Sequence, residues 1–255
     1  MPYADLTERT LRCRSGMFER TVWSLAPPAG QPAAAILFLD AELYLERVGA
    51  AAVVRRLQER RVIPPAVAVF LSDGGAAARH EDFVCHPDYA RFVAGDLVGS
   101  VREEHPDVTE IVIAGLSLSG LAAAYVATRH PAMFRAAVCQ SPSFWWERGR
   151  FAQELPPATP AGPEFWICVG NRETEAGLSH PPSGLWQGIT QVAGCLATAA
   201  ALRANGYGVS YHDYDGGHDP TGWRDDLSMA LPWALRRADH PRRRRAASDG
   251  SIRRA

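Results

Sequence analysis

The sequence predicts an α/β fold, a mostly parallel central sheet with helices on both faces. Three observations predict it. Short, continuous apolar runs alternate with longer stretches of helical periodicity, the pattern of parallel strands joined by crossover helices. One such run, Ile111-Val112-Ile113, passes through Gly115-Leu116-Ser117 directly into an alanine-rich helix. A histidine, His218, is released by Gly216-Gly217 just after the last strand-like run.

Taken in order, residues 20–25 form an early strand, ended by a stretch holding Pro27, Pro28 and Pro32. Residues 33–39 are a continuous apolar strand, after which Asp40-Ala41-Glu42 opens a loop. Helical periodicity covers 50–59, residues 66–71 form the next buried strand, and 72–87 read as a polar loop. Residues 89–104 are amphipathic, with Phe92, Val93, Leu97, Val98 and Val101 near one face. Beyond the strand ending at Leu116, a helix is expected over 121–130, strands over 136–140 and 165–170, a helix over 195–205 closed by Gly206, a strand over 209–214 and a terminal helix over 227–237. Two proline-bearing stretches, 151–164 and 178–187, are read as irregular because proline removes a donor. Both follow strands, so both are expected to wall a ligand pocket on the carboxyl side of the sheet.

A chain of 255 residues, 47% hydrophobic, suits one domain over 1–240. Residues 241–255 carry six arginines against one aspartate and read as a solvated basic tail. Nothing aromatic is interleaved with the arginines, so no nucleic-acid partner is expected. No run approaches the roughly 18 apolar residues of a membrane span, and the first residues lack an apolar signal core. A cytoplasmic protein without a membrane partner is expected; its oligomeric state is not legible. The five cysteines have no metal-ligand spacing. Cys139 and Cys168, in apolar runs, read as small buried hydrophobes.

The strand-to-helix turn is where the chemistry points. A nucleophilic serine is mounted on a cramped turn so that Oγ stands clear and a helix N-terminus faces developing negative charge. Small residues are needed two places before and after it. Ser117 has Gly115 and Ser119 there; Ser119 as nucleophile would have Ser117 and Leu121, a poorer steric fit. His218 suits the general base, and the other seven histidines read as ordinary surface or core residues. The third member of such a triad is a carboxylate that orients the imidazole. Residues 165–170 run into Asn171-Arg172-Glu173-Thr174-Glu175. Glu173 is favoured there, with Glu175 open as the alternative.

With these pieces in place, the chain resembles the Putative esterase family of α/β-hydrolases, and within it the enterochelin (siderophore trilactone) esterase branch. The resemblance covers roughly residues 36–235. It is carried by Gly115-Leu116-Ser117-Leu118-Ser119-Gly120-Leu121, by Cys139-Gln140-Ser141-Pro142-Ser143-Phe144-Trp145-Trp146, by Arg79-His80-Glu81-Asp82-Phe83, by Gly170-Asn171-Arg172-Glu173, and by Asp215-Gly216-Gly217-His218-Asp219 with Trp223-Arg224. Ala41, Ser119 and Pro142 stand where relatives carry glycine. The resemblance implies an α/β-hydrolase catalytic domain and an oxyanion hole built from the backbone N–H groups of Leu118 and Glu42.

The expected reaction is hydrolysis of a small-molecule ester through an acyl-enzyme, with no metal or organic cofactor. Arg79 is expected either to hold an anionic part of the substrate or to pair with Asp82. Phe144, Trp145 and Trp146 are expected either to stack on an aromatic acyl group or to pack beside the sheet. The competing readings are thioester hydrolysis or acyl transfer on the same triad, and a noncatalytic binding protein. A metal-dependent hydrolase using Asp40, Asp73 and His218 lacks a recognised ligand spacing.

Overall fold

A computed structural model describes Tyr3 and residues 5–181 and 183–236; the basic tail expected over 241–255 lies outside the described residues. The chain opens with β1 (Thr7–Arg12) and β2 (Glu19–Leu25), then β3 (Ala34–Leu39), the single turn α1 (Ala41–Leu43), a π-helical stretch over Tyr44–Val48, α2 (Ala50–Glu59) and β4 (Ala66–Leu71). Next come α3 (Ala76–Asp82), α4 (Pro87–Arg91), a second π-helical stretch over Phe92–Leu97, α5 (Val98–Glu104), β5 (Glu110–Leu116), α6 (Ser117–Arg129) and β6 (Ala136–Gln140). The last part holds α7 (Arg150–Gln153), β7 (Glu164–Gly170), β8 (Leu178–His180), β9 (Leu185–Gln187), α8 (Gln191–Ala204), β10 (Val209–Tyr214) and α9 (Pro220–Ala234).

Eight strands form one sheet in the order β1-β2-β4-β3-β5-β6-β7-β10, while β8 and β9 pair apart as a hairpin. Strand β2 pairs antiparallel with both β1 and β4, and every other neighbouring pair is parallel. Every residue of β3 and β4 is buried, as continuous apolar strands require when helices cover both faces. One core packs α4, α5, α6 and α8 on one face, and the other packs α1, α2 and α9 on the opposite face. The register pairs Leu116 with Gln140, Gln140 with Cys168, and Gly170 with Tyr214. The carboxyl ends of four adjacent strands therefore meet along one edge, where open α/β sheets bind ligands.

Several expectations need correction. Residues 72–87 are not all loop: Ala76–Asp82 is helical. Its outer surface is alanine, so no apolar stripe announces it, and what ties it down is a pair of ionic contacts from Arg79 and Asp82. Strand β1 carries no apolar alternation that would announce it, because it is a polar edge strand in which only Leu11 is buried. The stretch 178–187 is an antiparallel hairpin, and Pro181 falls in its turn. The stretch 151–164 starts with α7 and then travels to the amino ends of the strands. Ala158 N–H donates to the Asn205 carbonyl at the end of α8, and Glu164 N–H to that of Arg135. It therefore walls no pocket on the carboxyl side. Helices α6, α8 and α9 begin earlier than periodicity suggested, because their first turns face the site and are set by caps. Thr190 Oγ1 accepts from Ala193 N–H, and Asp219 Oδ1 from Thr221 and Gly222 N–H. Among the described residues no helix is long and apolar enough to cross a membrane.

Candidate active site

Ser117 directly follows β5 and begins α6 with φ of 52°, a left-handed conformation that costs a non-glycine residue energy and lifts its side chain out of the turn. The turn closes so tightly that a Cβ at Gly115 would lie 2.0 Å from the Ser119 carbonyl oxygen. Glycine is obligatory there. Ser119 points away from the pocket: its fully buried Oγ accepts from Leu116 N–H at 2.9 Å and donates to the Leu116 carbonyl at 2.8 Å. Ser119 thus braces the turn that carries Ser117.

His218 follows β10 and connects two neighbours. Its Nε2 lies 3.0 Å from Ser117 Oγ, and its Nδ1 lies 2.6 Å from Glu173 Oε2. The carboxylate is buried, whereas the imidazole is exposed on one side. Glu173 comes from the turn after β7, and Gly170 makes that turn possible: a Cβ there would meet the Gly216 carbonyl oxygen at 2.5 Å. Asn171 N–H to Tyr214 O and Arg172 N–H to Gly216 O lash the acid turn to the histidine loop. Glu175 is exposed at the pocket rim and holds only the Gln187 amide through its backbone carbonyl.

Leu118 and Glu42 stand in the first turns of α6 and α1, where backbone N–H groups have no intrahelical acceptor. The left-handed residue beside Glu42 is Asp40, φ 69°, not Ala41. Ala41 is buried without positive φ, so glycine is not required at that position. The Glu42 side chain is anchored by Ser72 Oγ at 2.5 Å and Asp73 N–H at 3.0 Å.

Arg79 does not line the pocket, and its partner is not Asp82. Its Nε and Nη2 reach Asp40 Oδ2 at 2.9 and 2.6 Å, while Asp82 takes Arg20 Nη2 at 2.5 Å. The reason is burial. Asp40 is shut off from water, which pushes its carboxyl above the ordinary range, and the Arg79 guanidinium pulls it part of the way back. The metal-ligand set imagined from sequence does not assemble either. Asp40 and Asp73 gather with Glu42, without His218.

A cavity of about 280 Å³ opens beside Ser117 and His218, with Trp145, His180, Gln187 and Gln191 among its walls. Of the three aromatic residues singled out in the sequence, Trp145 alone lines it. Its ring stacks on His180 at 4.9 Å and its Nε1–H donates to Gln191 Oε1. Phe144 is buried against Phe151, and Trp146 faces a separate cleft with Trp186. His180 and Gln187 enter through the β8–β9 hairpin, so the stretch 178–187 does wall the pocket as its place after a strand predicts; Gln191 enters at the first turn of α8, which Thr190 could have announced as an N-cap. Ser141 and Trp223, which the sequence places in family-like motifs without a role at the site, pack directly behind Glu173 and His218.

A family model described as Putative esterase matches residues 19–234. The iron(III) enterobactin esterase of Escherichia coli O6:H1 is 26% identical over 204 residues, covering 76% of this chain and 48% of the relative. The iron(III) salmochelin esterase of the same strain is 28% identical over 219 residues, covering 77% and 49%. The chain thus spans about half the length of the curated relatives it matches. The crystal structure of the enterochelin esterase from Shigella flexneri superimposes with a TM-score of 0.77 at 23% identity, covering 92% of this chain and 59% of that one. At that identity the likeness speaks to the α/β fold alone.

Proposed function

This chain belongs to the Putative esterase family, and from that premise we propose that it hydrolyses a carboxylic ester through an acyl-enzyme on Ser117. The observation that carries the reading is the position of His218, in hydrogen-bond reach of Ser117 Oγ on one side and of Glu173 on the other. His218 takes the hydroxyl proton as Oγ attacks the ester carbonyl, and Glu173 holds the imidazole in the required tautomer and stabilises the imidazolium. The N–H groups of Leu118 and Glu42 receive the oxyanion, contacts of a kind worth about 3–4 kcal/mol each. His218 then protonates the leaving alcohol and activates the water that releases the acid.

The substrate side of the proposal rests on the cavity and the relatives. An apolar cavity of about 150 Å³ holds one benzene ring, so about 280 Å³ takes a single aryl or short acyl group, with the rest of the ester outside. A siderophore-type or aromatic ester fits that arrangement, and the likeness to enterobactin and salmochelin esterases supports choosing it first. Thioester hydrolysis or acyl transfer on the same triad is the nearest competitor. We take residues 1–240 as one catalytic domain because a single continuous sheet runs from β1 to β10. The five unpaired cysteines favour a reducing, cytoplasmic setting.

Turnover of p-nitrophenyl acetate and labelling by a fluorophosphonate probe test the reaction. Both are expected to vanish in Ser117→Ala and to survive chelators; turnover that persists in Ser117→Ala overturns the mechanism. A panel of short acyl esters, feruloyl-type esters, acylated glutathione and catecholate trilactones then sorts the substrate classes. A parent protein that neither turns over nor labels is a binding protein.

A further inference from the structure

We propose that Ser141 and Trp223 are positioning residues that act through Glu173: an indole N–H to serine hydroxyl to carboxylate chain that fixes the acid and, through it, the imidazole. The inference rests on the triad reading above and adds two residues to it.

Glu173 divides its two oxygens between two tasks. Oε2 meets His218, while Oε1 accepts from Ser141 Oγ at 2.6 Å and from Gly170 N–H at 2.8 Å. A carboxylate held by two donors on one oxygen cannot rotate without breaking both, so its other oxygen stays aimed at the imidazole. Ser141 has one proton to give, and it goes to Glu173. Its oxygen in turn accepts from Trp223 Nε1–H at 3.0 Å, a donor that has no acceptor function and so settles the direction of the chain. The Tyr214 hydroxyl lies 3.3 Å from Ser141 Oγ and donates to the Gly217 carbonyl at 3.0 Å. Each donor in the series polarises the next in a site closed to water.

Trp223 touches the other end as well. Its ring stands perpendicular to the His218 ring, with centroids 4.9 Å apart. The same residue thus limits the tilt of the imidazole and steers the carboxylate that holds it.

Ser141 is secured for this task at an energetic cost. It sits just past β6 at φ of 41°, strained for a serine, and is fully buried. Its N–H donates to the Cys168 carbonyl at 2.8 Å, and the Gln191 amide donates to the carbonyls of Ser141 and Pro142. Backbone strain held from three sides at a buried hydroxyl is what a fixed donor aimed at Oε1 requires.

The test uses the full chain with Ser141→Ala, Trp223→Phe and the double variant. Phenylalanine keeps a ring against His218 and removes the N–H alone. Ser141→Ala is expected to lower kcat about 10- to 100-fold and Trp223→Phe about three- to tenfold, with KM unchanged in both. In the double variant the loss is expected to match that of Ser141→Ala alone, because Trp223 acts through the missing hydroxyl. The low-field proton resonance of His218 Nδ1–H, read without substrate, is expected to shift or disappear in both single variants. That readout separates failure here from failure of the esterase reading. Multiplicative losses in the double variant, a resonance unchanged in both single variants, or a parent without it overturns the proposal. Should Ser141→Ala fail to fold, Trp223→Phe and its resonance decide.

Discussion

The Arg79 guanidinium places both Nε and Nη2 on one oxygen, Oδ2, of the fully buried Asp40. Asp40 directly precedes α1, the turn that carries the proposed oxyanion donor Glu42, and the ion pair lies outside the pocket lining. Breaking a buried pair leaves an uncompensated charge, and Arg79→Met is expected to cost about 3–5 kcal/mol. The cost depends on pH with a definite sign. Burial already raises the Asp40 carboxyl, and without the guanidinium it rises further. The folded variant then binds a proton more tightly than the unfolded chain and regains stability as pH falls through that raised value. Urea denaturation is expected to show a loss that is largest at alkaline pH and shrinks as the pH is lowered. A loss that grows toward acid contradicts this account.

Glu173 and Glu175 are two positions apart and differ completely in surroundings. One is buried against His218, the other exposed at the rim. Glu173→Gln is expected to lower kcat by about 10⁴, as loss of the orienting carboxylate does in related triads. Glu175→Gln is expected to leave kcat within about twofold. Steady-state kinetics on one p-nitrophenyl ester distinguishes them.

Glycine at position 119 looks harmless from sequence, and the elbow pattern leads one to expect that Ser119→Gly keeps or raises activity. The structure adds a stability cost: the Ser119 hydroxyl satisfies both the N–H and the carbonyl of Leu116. Ser119→Gly is expected to retain kcat and lose about 1–2 kcal/mol on thermal unfolding. Gly115→Ala is expected to abolish the elbow, since its methyl would overlap the Ser119 carbonyl.

Trp145 and Phe144 are adjacent and serve different ends. Phe144→Ala is expected to cost about 3–5 kcal/mol of stability with KM unchanged, because its ring fills the core against Phe151. Trp145→Ala is expected to raise KM for an aryl ester by up to about tenfold relative to an acetyl ester. Paired melting and kinetic measurements check both.

The strands were legible wherever they were buried on both faces, since continuous apolar runs such as 34–39 and 66–71 admit few other readings. The Ser117 elbow and the His218 loop were legible because each needs glycine at a defined place, and the backbone requirement leaves a mark on the sequence. Helix α3 and strand β1 left no such mark, being exposed and held by charges or by an edge ladder.

What the sequence by itself determined is the order of chemistry along the chain: a serine on a strand-to-helix turn, an acid after a later strand, a histidine after the last. Only the tertiary structure decided which glutamate meets His218, that Arg79 belongs to Asp40, that Trp145 alone of its three aromatic neighbours lines the pocket, and that Ser141 and Trp223 stand behind the acid. Those outcomes turn on a few ångströms between side chains 32 to 101 residues apart. Spacing along a chain encodes local periodicity and backbone conformation; the meeting of distant side chains depends on sheet register and on which buried charge finds a partner.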